Sequence, residues 1–416
     1  MTEDKGNQID KQKVEKRVSG LVNNLLLPAL AVVTGLLAGA VIIAITNAAA
    51  LTAWGHFFQS PLNALSATWD AVAAAYGALF LGAIGNPKEM VAAFQNYFAT
   101  GQTAQVYKAI YPFTESLVAA TPYIFAGLAV ALGFRCGLFN IGAEGQFYVG
   151  ALGSCFIGYS ITSLPWFIHL PLALLGGAVA GGIWGALPGY LKARFGAHEV
   201  VTTIMMNYIA ILLTDWLLEG PMKASGYRPV TPTIQTTAQL PRFFPAPLRF
   251  NWGFILGLAV AALVYWFLFK TTLGFEVRAV GSNPNAAKYA GMSIVKNFVL
   301  VMAFSGALAG LAGAAEVLGT DLWIGQGFSG GYGFDSIALA LLGNSHPVGV
   351  VLAALLFGIL RSGATSMQSL AGIPIDIISV IQSLIIIFVA APEIIRWLYR
   401  LRNIRVEQTV LTRGWG

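Results

Sequence analysis

The stretch Leu25–Thr46, LLLPALAVVTGLLAGAVIIAIT, carries no charged residue over 22 positions. As a helix rising about 1.5 Å per residue it reaches across a hydrocarbon layer of roughly 30 Å. Several later stretches do the same, and a chain built of such segments cannot fold around one water-excluded core. Its composition agrees: 10% of residues are charged and 56% hydrophobic, against roughly a quarter charged in soluble domains. The predicted fold class is therefore an all-α integral membrane protein with about ten transmembrane helices, some of them broken half-helices.

Segment lengths place those helices at residues 25–46, 117–134, 140–160, 168–190, 199–218, 250–269, 297–318, 334–346, 348–367 and 375–392. The eighth is short for a full span and reads as a half-helix. Lys11, Lys13, Lys16 and Arg17 precede the first apolar run, which is too long for the core of a secretory signal and is read as a retained helix. Most of the 24 Lys and Arg fall on one side when the N-terminus is placed inside, with Arg361 near a helix end, so both termini are predicted cytoplasmic. The net charge of +6 is spread over helix ends rather than gathered into a patch, which argues against a nucleic-acid partner. The predicted organisation is a cytoplasmic tail (1–24), a first helix (25–46), an extracytoplasmic or interfacial segment (47–115), a membrane domain (116–395) and a cytoplasmic tail (396–416). Within 47–115, Asp70 and the alanine-rich run 65–84 favour helices lying at the outer face. Residues 219–249, rich in Pro and Thr, read as an outer loop without regular structure.

Enzyme signatures are confined to one loop. Gly325, Gly327 and Gly330 fit G-x-G-x-x-G, and Gly327, Ser329 and Gly331 fit G-x-S-x-G, but no strand precedes them, so a flexible outer glycine loop is expected. No P-loop signature is present, so any ATP and Mg must be held by another subunit and no cofactor is expected on this chain. Cys136 and Cys155, 19 positions apart, match neither a zinc site nor a disulfide framework and are read as packing residues. Gly177, Gly181, Gly185 and Gly189 strip one helix face of side chains for close helix packing, a device repeated by Gly35/Gly39 and Gly306/Gly310.

Two stretches carry more information. GLFNIGAEGQ (137–146) sets Asn140, Glu144 and Gln146 among glycines at the start of a span. A carboxylate near the bilayer costs about 2.5–3.5 kcal/mol on insertion scales, and glycine-broken polar helices build midplane sites in transporters. Glu144 either borders a solute pathway or ties helices together, and residue type alone leaves both open. Asn207, Asp215, Glu316, Asp335, Asp376 and Gln382 are weaker candidates because most lie near helix ends, and Asp335 suits a helix cap. The second stretch is GFEVRAVGSNPNAAKYAGMS (274–293). Asn283 as N-cap, Pro284 at the first position and Gly291 as stop bracket a helix of about two turns. Ala286, Ala287 and Ala290 give it a small-residue side that suits docking, although an ordinary loop helix reads the same way.

GSNPNAAKYAG resembles the cytoplasmic coupling segment of permeases in bacterial ABC importers for branched-chain amino acids, simple sugars and nucleosides. GLFNIGAEGQ and HEVVTTIMMNYIA (198–210) resemble the nucleoside branch. The resemblance covers roughly residues 115–395. It implies a permease subunit with no catalytic site, working by alternating access in a lipid bilayer. It implies three partners: a cytoplasmic ATP-binding subunit, a second homologous permease and an extracytoplasmic substrate-binding lipoprotein. It places Asn140, Glu144, Gln146, Asn207 and Asp335 along the pathway, and Arg278, Asn283, Pro284, Ala286, Ala287, Tyr289, Ala290 and Gly291 in a coupling segment, 271–296, that meets the ATPase. The alternatives are a simple-sugar permease, an ion-coupled secondary transporter in which Glu144 or Glu316 titrates, and a structural membrane scaffold. The bracketed cytoplasmic helix weighs against the second and the polar broken helices against the third.

Overall fold

The computed structural model describes residues 26–401. The expected tail 1–24, Leu25 and residues 402–416 lie outside the described residues. Sixteen α-helices follow in order: α1 (Leu27–Thr46), α2 (Ala48–Gly55), α3 (Pro61–Ile84), α4 (Pro87–Thr100), α5 (Ala104–Arg135), α6 (Ala143–Ser160), α7 (Trp166–Phe195), α8 (Glu199–Glu219), α9 (Gly253–Lys270), α10 (Thr272–Ser282), α11 (Pro284–Tyr289), α12 (Ile294–Glu316), α13 (Tyr332–Leu342), α14 (Pro347–Ala371), α15 (Asp376–Ala390) and α16 (Pro392–Leu398). Among the described residues there is no β-strand, only isolated bridges.

Among the described residues eight helical stretches are long and apolar enough to cross a membrane, or nine if α15 and α16, bent by 88°, count as one. One of the eight is Pro61–Thr100, α3 with α4. The run expected to lie flat at the outer face is thus a long rod, because alanine sustains a helix as well as it lowers hydropathy. Helix α6 falls short of the same standard; its small and polar residues are mostly buried by neighbouring helices, so it needs no lipid-facing side.

The chain forms two compact units. One comprises the described residues through Leu79 and from Ala364 onward. There α1 packs on α15: a Cβ on Gly35 would meet Ile385, and one on Gly39 would meet Ile381. The other unit, Phe80–Gly363, is centred on α5, α6, α7 and α12. The glycine face of α7 lies against α12, where Gly306 and Gly310 complete it. A Cβ on Gly181 would meet the Gly306 carbonyl oxygen and, at 2.7 Å, the Gly310 Cα. These are backbone atoms that cannot step aside. Gly181→Leu is therefore expected to destabilise the fold by about 1–3 kcal/mol or more, read as a lower midpoint of thermal unfolding in detergent. Gly77→Ala, where nothing lies within 4 Å of the added Cβ, should not lower it.

Helices α5, α7 and α9 end in Arg135, Lys192 with Arg194, and Lys270, and these ends define the basic end of the unit. At the opposite end, residues 219–249 contain only a 3₁₀ turn, Thr236–Ala238, yet they are not loose. The backbone amides of Thr231, Ile234 and Leu240 donate to the carbonyls of Ile324, Leu322 and Leu318 at 2.8–3.0 Å, and Ile234, Ala238 and Leu240 join the buried core. Cys136 and Cys155 are buried thiols, as packing residues should be.

Candidate functional site: a broken helix pair at mid-depth

After α5 the chain does not leave the bundle. Gly137 takes φ +74°, and the segment turns back to begin α6 at Ala143. The first amides of a helix have no partner within it, and here side chains supply them. Asn140, fully buried, accepts from the Gly142 amide at 2.9 Å and donates to Gln146 Oε1 at 3.0 Å and Ser305 Oγ at 2.7 Å. Asn207 Oδ1 accepts from the Gly145 amide at 2.8 Å while its Nδ2 donates to the Ile141 carbonyl at 3.0 Å. Asn140, Gln146 and Asn207 thus hold the break together, Asn140 and Gln146 bonded to each other and Asn207 to the backbone on either side of Gly142. Asn207 is 1% exposed, so solvent does not reach it as its position near a helix end had implied.

Glu144 stands in the first turn of α6 and reaches across to α13. Its Oε2 accepts from the Gly333 amide at 2.8 Å, and its Oε1 accepts from the Ser329 hydroxyl. The Tyr148 hydroxyl lies 3.3 Å from Ser329 Oγ. A carboxylate from one helix thereby occupies the electropositive N-terminus of another. Gly333 is required there, because a Cβ would collide with the Glu144 backbone. Ser329 is 2% exposed. The loop before α13, expected to be flexible and outside, instead folds into the protein through positive φ at Gly327 (68°), Gly330 (52°) and Gly331 (86°). The reason is length: α13 has 11 residues and rises about 16 Å, so a chain entering it must first descend about half a membrane's thickness.

The basic end of α13 fixes that depth. Arg135 donates to the carbonyls of Ser345 at 2.8 Å and Asn344 at 3.2 Å, just past the end of α13. The N-terminus of α13 therefore lies near mid-depth. Asp335 is there, but not as a cap, since Gly331 holds that position. Its Oδ2 accepts from the Tyr123 hydroxyl at 2.7 Å. The Tyr123 hydroxyl in turn accepts from Arg361, which also donates to the Gly330 carbonyl, both at 3.1 Å. The Arg361 guanidinium stacks 4.1 Å above the Tyr332 ring. Tyr123 and Tyr332 meet edge to face at 4.6 Å, and Phe147 lies 5.9 Å from Tyr332. Asp335 and Arg361 remain partly exposed and Phe334 is 46% exposed. Of the five expected pathway residues, Asp335 alone is not buried.

In the expected coupling segment, Asn283 Oδ1 accepts from the Ala286 amide at 3.0 Å, Pro284 opens α11, and Gly291 ends it at φ +83°. The small-residue side does not stay together. Ala286 and Ala290 are exposed, whereas Ala287 is 4% exposed and packs into its own chain, so it cannot be a contact for a partner. Tyr289 is 95% exposed. Arg278 lies on α10, with its guanidinium 5.2 Å over the Phe269 ring. Arg135 lies 5.8 Å over the same ring, which connects the coupling segment to the end of α13.

A family model described as branched-chain amino acid transport system / permease component matches residues 113–390. The chain belongs to this permease family. It is 40% identical over 381 residues to the guanosine ABC transporter permease protein NupP of Bacillus subtilis, covering 90% of this chain and 96% of that one. It is 36% identical over 310 residues to the nucleoside ABC transporter permease protein NupB of Lactococcus lactis, covering 72% and 85%. It is 38% identical over 290 residues to the glucose ABC transporter permease protein TsgB13 of Haloferax volcanii, covering 67% and 76%. No solved structure matches the chain significantly.

Three polar groups of this permease site escaped sequence reasoning. Arg361 was placed near a helix end, but α14 continues to Ala371, so the residue lies well inside a span. An arginine within an apolar run is itself a signal. Ser329 drew notice only in a G-x-S-x-G match set aside for want of a strand, and Tyr123 gave no signal, because a hydroxyl among apolar residues is unremarkable until its partner is known.

Proposed function

We propose that this permease carries nucleosides into a bacterial cell across the cytoplasmic membrane by alternating access, through about ten transmembrane helices with both termini cytoplasmic. A separate cytoplasmic ATPase, holding ATP and Mg, drives it through α11. A second homologous permease completes the pathway and an extracytoplasmic lipoprotein delivers the solute. One observation carries this reading: the Asp335–Tyr123–Arg361 cluster lies at mid-depth on a half-helix N-terminus, beside aromatic rings and partly open. Polar groups exposed to lipid at that depth are unfavourable, so they suit a water-filled passage. A neutral solute with a flat ring and hydrogen-bonding edges matches them. The names of NupP and NupB support nucleosides, and that of TsgB13 keeps glucose as a second reading.

The test is uptake of a labelled panel of nucleosides and glucose by a strain lacking the gene, with and without complementation. Restored nucleoside uptake supports the proposal; restored glucose uptake alone replaces it. In the same strain Ala286→Arg, on the exposed side of α11, is expected to lower uptake at least tenfold while membrane insertion is unchanged. Wild-type uptake would remove the docking role.

A further inference from the structure

Glu316 is 8% exposed and makes no hydrogen bond or ion pair. The other buried carboxylates of this unit are all engaged. Glu144 holds α13, Glu115 pairs with Arg249, and Glu199 lies 2.8 Å from Lys192. A carboxyl group largely withdrawn from water and left without donors is costly, and its oxygens offer unused acceptor sites.

Helix register gives its position. Ser305 donates to the Ala129 carbonyl at 2.6 Å, which sets antiparallel α5 and α12 side by side. Tyr123 lies six residues from Ala129 and Glu316 eleven from Ser305. Glu316 therefore stands about five residues, or roughly 7 Å, beyond the Asp335 cluster, away from the basic end. The charged groups acting on it are Asp321, Arg361, Arg249 and Glu115, none within ion-pair distance. Two arginines nearby disfavour a metal cation, and no group of three metal-ligating side chains occurs among the described residues. The solutes of the transport reading, nucleosides and glucose, both carry a pair of adjacent hydroxyls, and such a pair can donate to the oxygens of one carboxyl group.

We infer that Glu316 accepts hydrogen bonds from a vicinal diol of the transported solute as it approaches the Asp335 cluster, the ribose 2′,3′-diol when the solute is a nucleoside. This rests on the transport reading above. The test uses the complete importer in proteoliposomes at saturating substrate, comparing a ribonucleoside with its 2′,3′-dideoxy analogue on wild type and Glu316→Gln. The expected result is a roughly tenfold slower rate for the ribonucleoside on the variant, and no further loss for the analogue, which is already slow on wild type. Equal fold losses for both solutes would mean a structural role and overturn the inference, as would no loss for either. If wild type moves a hexose and no nucleoside, the nucleoside proposal fails by itself, and the same comparison with the hexose and its dideoxy form decides the role of Glu316. If wild type moves no diol-bearing solute, both fall.

Discussion

Arg361→Met should bring solute uptake below detection while the protein still inserts. The guanidinium holds the Tyr123 hydroxyl and the Gly330 carbonyl and stacks on Tyr332. Charge-assisted hydrogen bonds are worth about 1.5–3 kcal/mol, and a desolvated cation–π contact about 2 kcal/mol. Methionine of similar length fills the space and removes both. Asp335 then stands at mid-depth without the nearby cation, and the glycine loop loses its tether. Arg361→Lys retains the charge but neither the planar fork nor the stacking, so partial uptake is expected. The readouts are uptake rate and the midpoint of thermal unfolding in detergent. Normal transport by the methionine variant would take the Asp335 cluster off the solute's route.

Glu144→Ala is the second large effect. It strands the Gly333 amide and the Ser329 hydroxyl inside the protein, at about 1–3 kcal/mol for each unsatisfied group, and frees the N-terminus of α13 from α6. Uptake should be lost with a clear fall in stability. Glu144→Gln should fare much better. The amide oxygen can still accept from Gly333, and the Ser329 hydroxyl can turn to accept from the amide nitrogen. Only the charge at the helix N-terminus is removed, worth about 0.3–1 kcal/mol and up to about 2 in buried geometry. The expected order in both assays is wild type, then Gln, then Ala. A glutamine variant that unfolds like wild type but does not transport would show that the charge itself takes part in the cycle.

Most of the helices were legible because an apolar run of membrane length has few other uses, and the half-helix was legible because it is short; α3, rich in alanine and only weakly apolar, was read as lying at the surface. Helix α11 was legible from its own caps, Asn283 and Gly291, which act within a few residues of the backbone they serve. Facing was not legible. These helices are apolar nearly all round, so no periodic polar stripe says which side meets a neighbour. Glu144 stood out as a buried charge, but its partners Ser329 and Gly333 lie 185 and 189 residues away, and nothing near it tells a clamp from a pathway group. Ala287 failed for the same reason: small residues on one turn say nothing about which of them points inward. Glu316 was set aside as lying near a helix end, but α12 runs on through a π turn, Val317–Asp321, which keeps it under cover.

The glycine-lined meeting of α7 and α12 has a consequence for movement. With Gly181, Gly185, Gly306 and Gly310 in backbone contact, few rotamers remain between the two rods to loosen or re-pack. They should move as one piece. Relative motion then falls to segments hinged at glycine and short enough to swing: the turn before α6, the glycine loop and α13.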